Sequence, residues 1–69
     1  MKPKTIYHQR VQNYIHDARK FAKLSQKQLA KELGVNQSMI SAWEKGVKTP
    51  FAAVVFRIME VTHFRPDNF

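Results

Sequence analysis

The chain has no cysteine, only two glycines and three prolines, and five acidic residues against twelve lysines and arginines. Without thiols it can hold neither a disulfide framework nor a thiolate-ligated metal, and it offers no cysteine nucleophile. Few glycines and prolines, with a 43% hydrophobic share, match a folded domain rather than a disordered tail. No apolar run approaches the roughly 20 residues that span a bilayer, and Met1 to Lys4 do not lead into a signal-peptide core. The expectation is a soluble cytoplasmic protein with no membrane partner. Sixty-nine residues make one domain, 1–69, with a small core.

The charge present is unevenly spread. Residues 1–31 hold eight Lys/Arg against Asp17 alone, whereas residues 32–69 hold four of each sign, so the whole net charge of +7 sits in the amino-terminal half. Such an excess fits a polyanion, whose condensed counterions are released when cations neutralise its phosphates. It also fits a solvated surface that keeps a small protein dispersed.

Along the chain the apolar spacing is helical. Tyr7, Val11, Tyr14, Ile15, Ala18, Phe21 and Ala22 recur at three- and four-residue steps, which predicts an amphipathic helix over 5–22 capped by Thr5. Ser25 followed three residues later by Gln28 is a capping-box pattern, so a second helix starts at Gln26 and stops at Gly34, where a positive φ is wanted. Asn36 supplies the next N-cap, and a third helix runs from Gln37 to Lys45 with Gly46 as its terminator. On it Ile40 and Trp43 point inward with Glu44 at the edge, while Ser38, Ser41, Ala42 and Lys45 form an outer face of short side chains. Thr49-Pro50 reads as a cap and first helical position, so a fourth helix is expected over 50–62, with Ala52, Val55, Phe56 and Met59 buried. Phe51, Val54, Ile58 and Val61 widen that stripe, which suggests burial on two sides. The tail from His63 to Phe69 would form one turn or cap the core.

The stretch from Leu24 to Pro50, LSQKQLAKELGVNQSMISAWEKGVKTP, resembles the helix-turn-helix of the lambda-repressor-like family, the Cro/CI and Xre-type transcriptional regulators. The match runs through Gln26, Leu29, Ala30, Gly34, Val35, Ile40, Ser41, Trp43, Glu44 and Gly46. It implies an all-α bundle of four to five short helices, with the helix-turn-helix proper at 25–46. It also implies a small regulator, a repressor, that binds double-stranded DNA with helix 37–45 in the major groove.

Carried over position by position, the resemblance makes Gln37, Ser38, Ser41 and Ala42 the base-contacting set. Gln37 would pair bidentately with adenine, and Ala42 would touch a thymine methyl. Gln26, Asn36, Lys45 and Lys48 would hold phosphates, with Lys23 and Lys27 as outer contributors. Arg19 and Glu44 occupy positions that form a structural ion pair in such proteins. A homodimer on an inverted-repeat operator is implied, its interface drawn from the fourth helix and the Phe64 to Phe69 tail.

No catalytic motif accompanies these features. His8 and His16 are about 80° and over 10 Å apart on one helix. There is no Gly-rich phosphate loop, His-Glu motif or nucleophile elbow, so neither a metal, a cofactor nor an enzyme is expected. The same sequence also suits the DNA-binding antitoxin of a toxin-antitoxin pair, with a protein partner, or an RNA- or protein-interaction module on the same fold. A bacterial or phage-encoded origin fits each regulator reading.

Overall fold

The computed structural model describes residues 6–65, with side chains from residue 8 onward. Four helices, α1 (Ile6–Phe21), α2 (Gln26–Leu33), α3 (Gln37–Lys45) and α4 (Ala52–Thr62), follow one another without a strand among the described residues. The fold is the expected all-α one. None of these helices is long and apolar enough to cross a membrane.

Each helix ends where the chain enters the left-handed region. After α2 the amide of Gly34 (φ 73) reaches back to the carbonyls of Ala30 and Lys31, and Gly46 (φ 77) does the same to Ala42 and Trp43 after α3. After α1 that position falls to Lys23, a non-glycine at φ 59, with the Leu24 amide bonded to the Arg19 carbonyl at 3.0 Å. A side chain there costs about 1 to 2 kcal/mol, which α1 tolerates because the turn satisfies two carbonyls that would otherwise be orphaned. The start of α2 carries the full capping box: the Gln28 amide donates to Ser25 Oγ at 3.0 Å, and the Ser25 amide donates to Gln28 Oε1 at 2.7 Å. The proposed Thr5 cap of α1 and the side chain of Tyr7 lie outside the described residues.

The core is one cluster: Val11, Tyr14, Ile15 and Ala18 from α1, Leu29 and Ala30 from α2, Ile40 and Trp43 from α3, and Val55 and Ile58 from α4. α3 packs on α1 and α2, and α4 packs on the same two helices, so the outer face of α3 is left uncovered.

Two expectations for α4 are corrected. The helix begins at Ala52, not Pro50: the chain stays extended through Phe51 (φ −66, ψ 156), which serves as N-cap, while Pro50 is buried. Its phase is also rotated, with Val55, Ile58 and Thr62 facing inward, while Ala52 and Phe56 lie outside. The rotation is fixed at the carboxyl end. Thr62 donates to the Ile58 carbonyl at 2.7 Å and accepts from the Phe64 amide at 3.3 Å, and the Tyr14 hydroxyl donates to the Phe64 carbonyl at 2.6 Å. The Phe64 ring stacks on Tyr14 (centroids 6.0 Å apart) and leans on Phe21 (4.9 Å). Phe64 thus packs against α1 instead of waiting for a partner, and Phe21, expected in the buried stripe, remains 59% exposed beside it. The rest of the tail, 66–69, lies outside the described residues.

Candidate nucleic-acid interface

The outer face of α3 follows from its nine residues at about 100° each. Ile40 and Trp43 are buried against the core, which turns Gln37, Ser38 and Lys45 to solvent and leaves Ser41 and Ala42 half-buried at the flanks. Gln37, Ser41 and Glu44 follow at steps of four and three, so they form one strip along the helix. That strip begins at an exposed amide and ends at a carboxylate anchored to α1.

The anchor is a two-point pair. Arg19 Nε donates to Glu44 Oε2 at 2.7 Å and Arg19 Nη2 donates to Glu44 Oε1 at 3.1 Å, with the two side chains only 11% and 8% exposed. Arg19 Nη1 also donates to the Leu24 carbonyl at 3.1 Å, so one guanidinium ties the α1–α2 turn to α3. Burial pushes the Glu44 carboxyl up, but hydrogen bonds from Arg19 and His16, the positive charge of Arg19 and the neighbouring Gln26 amide together outweigh it and hold the carboxyl below its ordinary value. The same bond from Glu44, against the opposing effect of burial, raises the Arg19 guanidinium further above its already high value. His16, which the sequence reading weighed only as a metal ligand, lies with Nδ1 3.3 Å from Glu44 Oε1. Its spacing of three from Arg19 on α1 was the available signal.

The candidate phosphate contacts lie around this face. Gln26 is the half-buried first residue of α2 and Lys27 its exposed second; Lys23 is exposed in the turn before it. Lys45 ends α3, and Lys48 is exposed in the loop that follows. Asn36 takes the N-cap position of α3 with an extended backbone, but its side chain makes no capping bond. The Met39 amide is bonded to the Asn36 main-chain carbonyl instead, at 3.0 Å. The first amides of α3 therefore stay open at the positive end of the helix dipole. No group of three or more His, Asp or Glu side chains that could hold a metal ion occurs among the described residues.

A helix-turn-helix family model matches residues 15–69, most of the chain and all of α2 to α4. The chain belongs to the Cro/CI/Xre-type helix-turn-helix family. This is a family of DNA-binding transcription regulators, so its partner is double-stranded DNA. No curated protein and no solved structure matches the chain. Within the helix-turn-helix, α2 is the first helix and α3 the second, the recognition helix of such proteins.

Proposed function

We propose that this helix-turn-helix protein is a sequence-specific repressor that lays α3 in the DNA major groove. The uncovered outer face of α3, whose one bordering carboxylate, Glu44, is 8% exposed and turned to Arg19, is the observation that carries this reading. Short residues at Ser38, Ser41 and Ala42 let the helix backbone approach the bases. Gln37, exposed at the amino end, reads adenine, while Ser38 and Ser41 bond a base edge or a phosphate and Ala42 meets a thymine methyl. Gln26, Asn36, Lys45 and Lys48 hold phosphates on either side, assisted by the open amides of the two helix starts, with Lys23 and Lys27 further out. The test is a pair of variants measured on duplexes selected from a random pool. Gln37→Ala weakens the selected duplex by about 1 to 3 kcal/mol and relaxes preference at one base pair, whereas Lys45→Ala weakens all duplexes alike. Identical behaviour of the two removes the division between reading and holding.

The protein acts as a homodimer on an inverted repeat whose half-sites are about 34 to 36 Å apart. Supporting this is the outer side of α4, where Phe51 and Phe56 are 85% and 62% exposed beside Ala52, an apolar surface of the kind that second subunits cover. Sedimentation of a monomer at micromolar concentration, with and without DNA, overturns the dimer while leaving the DNA reading intact.

A further inference from the structure

We propose that Val47 is a further specificity-determining residue: together with Ala42 it presents a small apolar surface that takes the C5 methyl group of a thymine. This role rests on the DNA reading above and adds to it a residue outside the recognition helix.

The chain stops α2 and α3 with the same local pattern, Ala30-Lys31-Glu32-Leu33-Gly34-Val35 in one case and Ala42-Trp43-Glu44-Lys45-Gly46-Val47 in the other. The backbone bonds match as well. The Gly34 amide donates to the Lys31 carbonyl at 3.3 Å and the Val35 amide to the Ala30 carbonyl at 3.0 Å. The Gly46 amide donates to the Trp43 carbonyl at 3.2 Å and the Val47 amide to the Ala42 carbonyl at 2.9 Å. In such a stop the residue after the left-handed glycine commonly packs its side chain on the residue whose carbonyl its amide has captured, which pairs Val35 with Ala30 and Val47 with Ala42. The first pair serves the interior: Ala30 is 3% exposed and Val35 packs against the core. The second does not. Val47 is 72% exposed and lies outside the set of side chains packed on the core, and Ala42 is half-buried at the flank of α3.

The place of this second pair gives it a ligand. Ser38, Ala42 and Lys45 follow at steps of four and three along the outer face of α3, which no other helix covers. The stop folds Val47 back against that row: with its amide 2.9 Å from the Ala42 carbonyl oxygen, its Cα lies within about 4.4 Å of the same atom. Lys45 and Lys48 are exposed on either side of it in the chain, so the phosphate contacts proposed for them bring this turn to the duplex. A valine side chain neither donates nor accepts a hydrogen bond. What it can read in the major groove is the one apolar group that base edges present there, the thymine methyl. Val47 and Ala42 together offer that methyl contact from two sides, where Ala42 alone offers a single carbon.

The test removes methyl groups from each side of the contact. A duplex selected from a random pool by the full chain is resynthesised with each thymine replaced in turn by deoxyuridine, which deletes the C5 methyl and keeps every hydrogen-bonding group. Affinities are measured for the wild type and for Val47→Ala, a change in an exposed turn that leaves the helical circular dichroism unaltered. In the wild type, replacement at one thymine is expected to weaken binding about fourfold, the value of one methyl group withdrawn from water. In Val47→Ala the same replacement is expected to cost less than about twofold, because the two deletions remove one shared contact. A methyl effect of equal size in both proteins, or a wild type indifferent to every methyl, overturns the role of Val47 and leaves the rest of the DNA reading standing. Failure of the wild type to enrich any duplex from the pool at low salt removes the DNA reading itself, and the role of Val47 with it.

Discussion

Replacing Arg19 by alanine strips Glu44 of its two-point partner and leaves a carboxylate, 8% exposed, with only the 3.3 Å contact to His16 and the Gln26 amide. Removing one member of a buried pair costs about 3 to 5 kcal/mol, because the other is left desolvated. The remaining partners reduce that to about 2 to 4 kcal/mol here. Against a total of roughly 3 to 10 kcal/mol for a chain of this length, the loss is a large share. At about 4 to 8 °C per kcal/mol it lowers Tm by about 8 to 32 °C at pH 7. The pH dependence is the sharper part. In the wild type the Glu44 carboxyl is held below its ordinary value of 4.5, so its contribution is present above that pH and is lost as the pH falls through the depressed value. In Arg19→Ala burial is opposed only by His16 and Gln26, so the carboxyl titrates higher than in the wild type and loses its charge earlier as the pH falls. The Tm gap is therefore wide at pH 7 and narrow at pH 4. Melting followed by far-UV circular dichroism at both pH values reads it directly. An unchanged Tm at pH 7, or a gap of the same width at both, refutes the account of the anchor. Arg19→Met combined with Glu44→Leu recovers most of the loss, since an apolar pair leaves no charge stranded.

Other expectations follow from single contacts. Tyr14→Phe deletes the 2.6 Å bond to the Phe64 carbonyl and costs about 1 kcal/mol in urea unfolding. Burial, opposed by the bond with Thr62, also raises the Tyr14 phenol above 10.0, so its contribution is intact below that pH and is lost as the solution becomes more alkaline. Ultraviolet titration then shows one tyrosine ionising late in the wild type. Lys23→Gly relieves the φ 59 backbone and raises stability by about 0.5 to 1 kcal/mol; a lower Tm in that variant contradicts the strain assigned to the α1–α2 turn. Ser25→Ala opens the capping box and lowers stability by about 1 kcal/mol, with no pH dependence between 5 and 8.

The parts of the fold visible in the sequence were those written in local chemistry. Ser25 with Gln28 marks the start of α2, and Gly34 and Gly46 mark two helix ends, because each is a backbone requirement met by nearby residues. The inward turn of Ile40 and Trp43 follows from their spacing alone. What escaped was settled by contacts distant in sequence. α4 is apolar around most of its circumference, so periodicity could not fix its phase; Thr62 and the Tyr14 to Phe64 bond did, and they turned Phe56 outward. The end of α1 has no glycine to announce it, and Lys23 takes the left-handed position unannounced. Asn36 has the N-cap position without a capping bond, a difference no residue type reveals. Around the candidate interface, the outer face of Ser38, Ser41, Ala42 and Lys45 was legible, whereas the convergence of His16 and Gln26 on Glu44 depended on packing across three helices.

The central claim, that this surface grips the phosphates of duplex DNA, is most directly tested by the affinity for a selected duplex as a function of salt concentration. Six phosphates neutralised by a dimer give a slope of about −5 in a plot of log affinity against log salt. A slope near that value, made shallower by Lys45→Ala or Lys48→Ala, is the predicted result. An affinity that does not change with salt contradicts it.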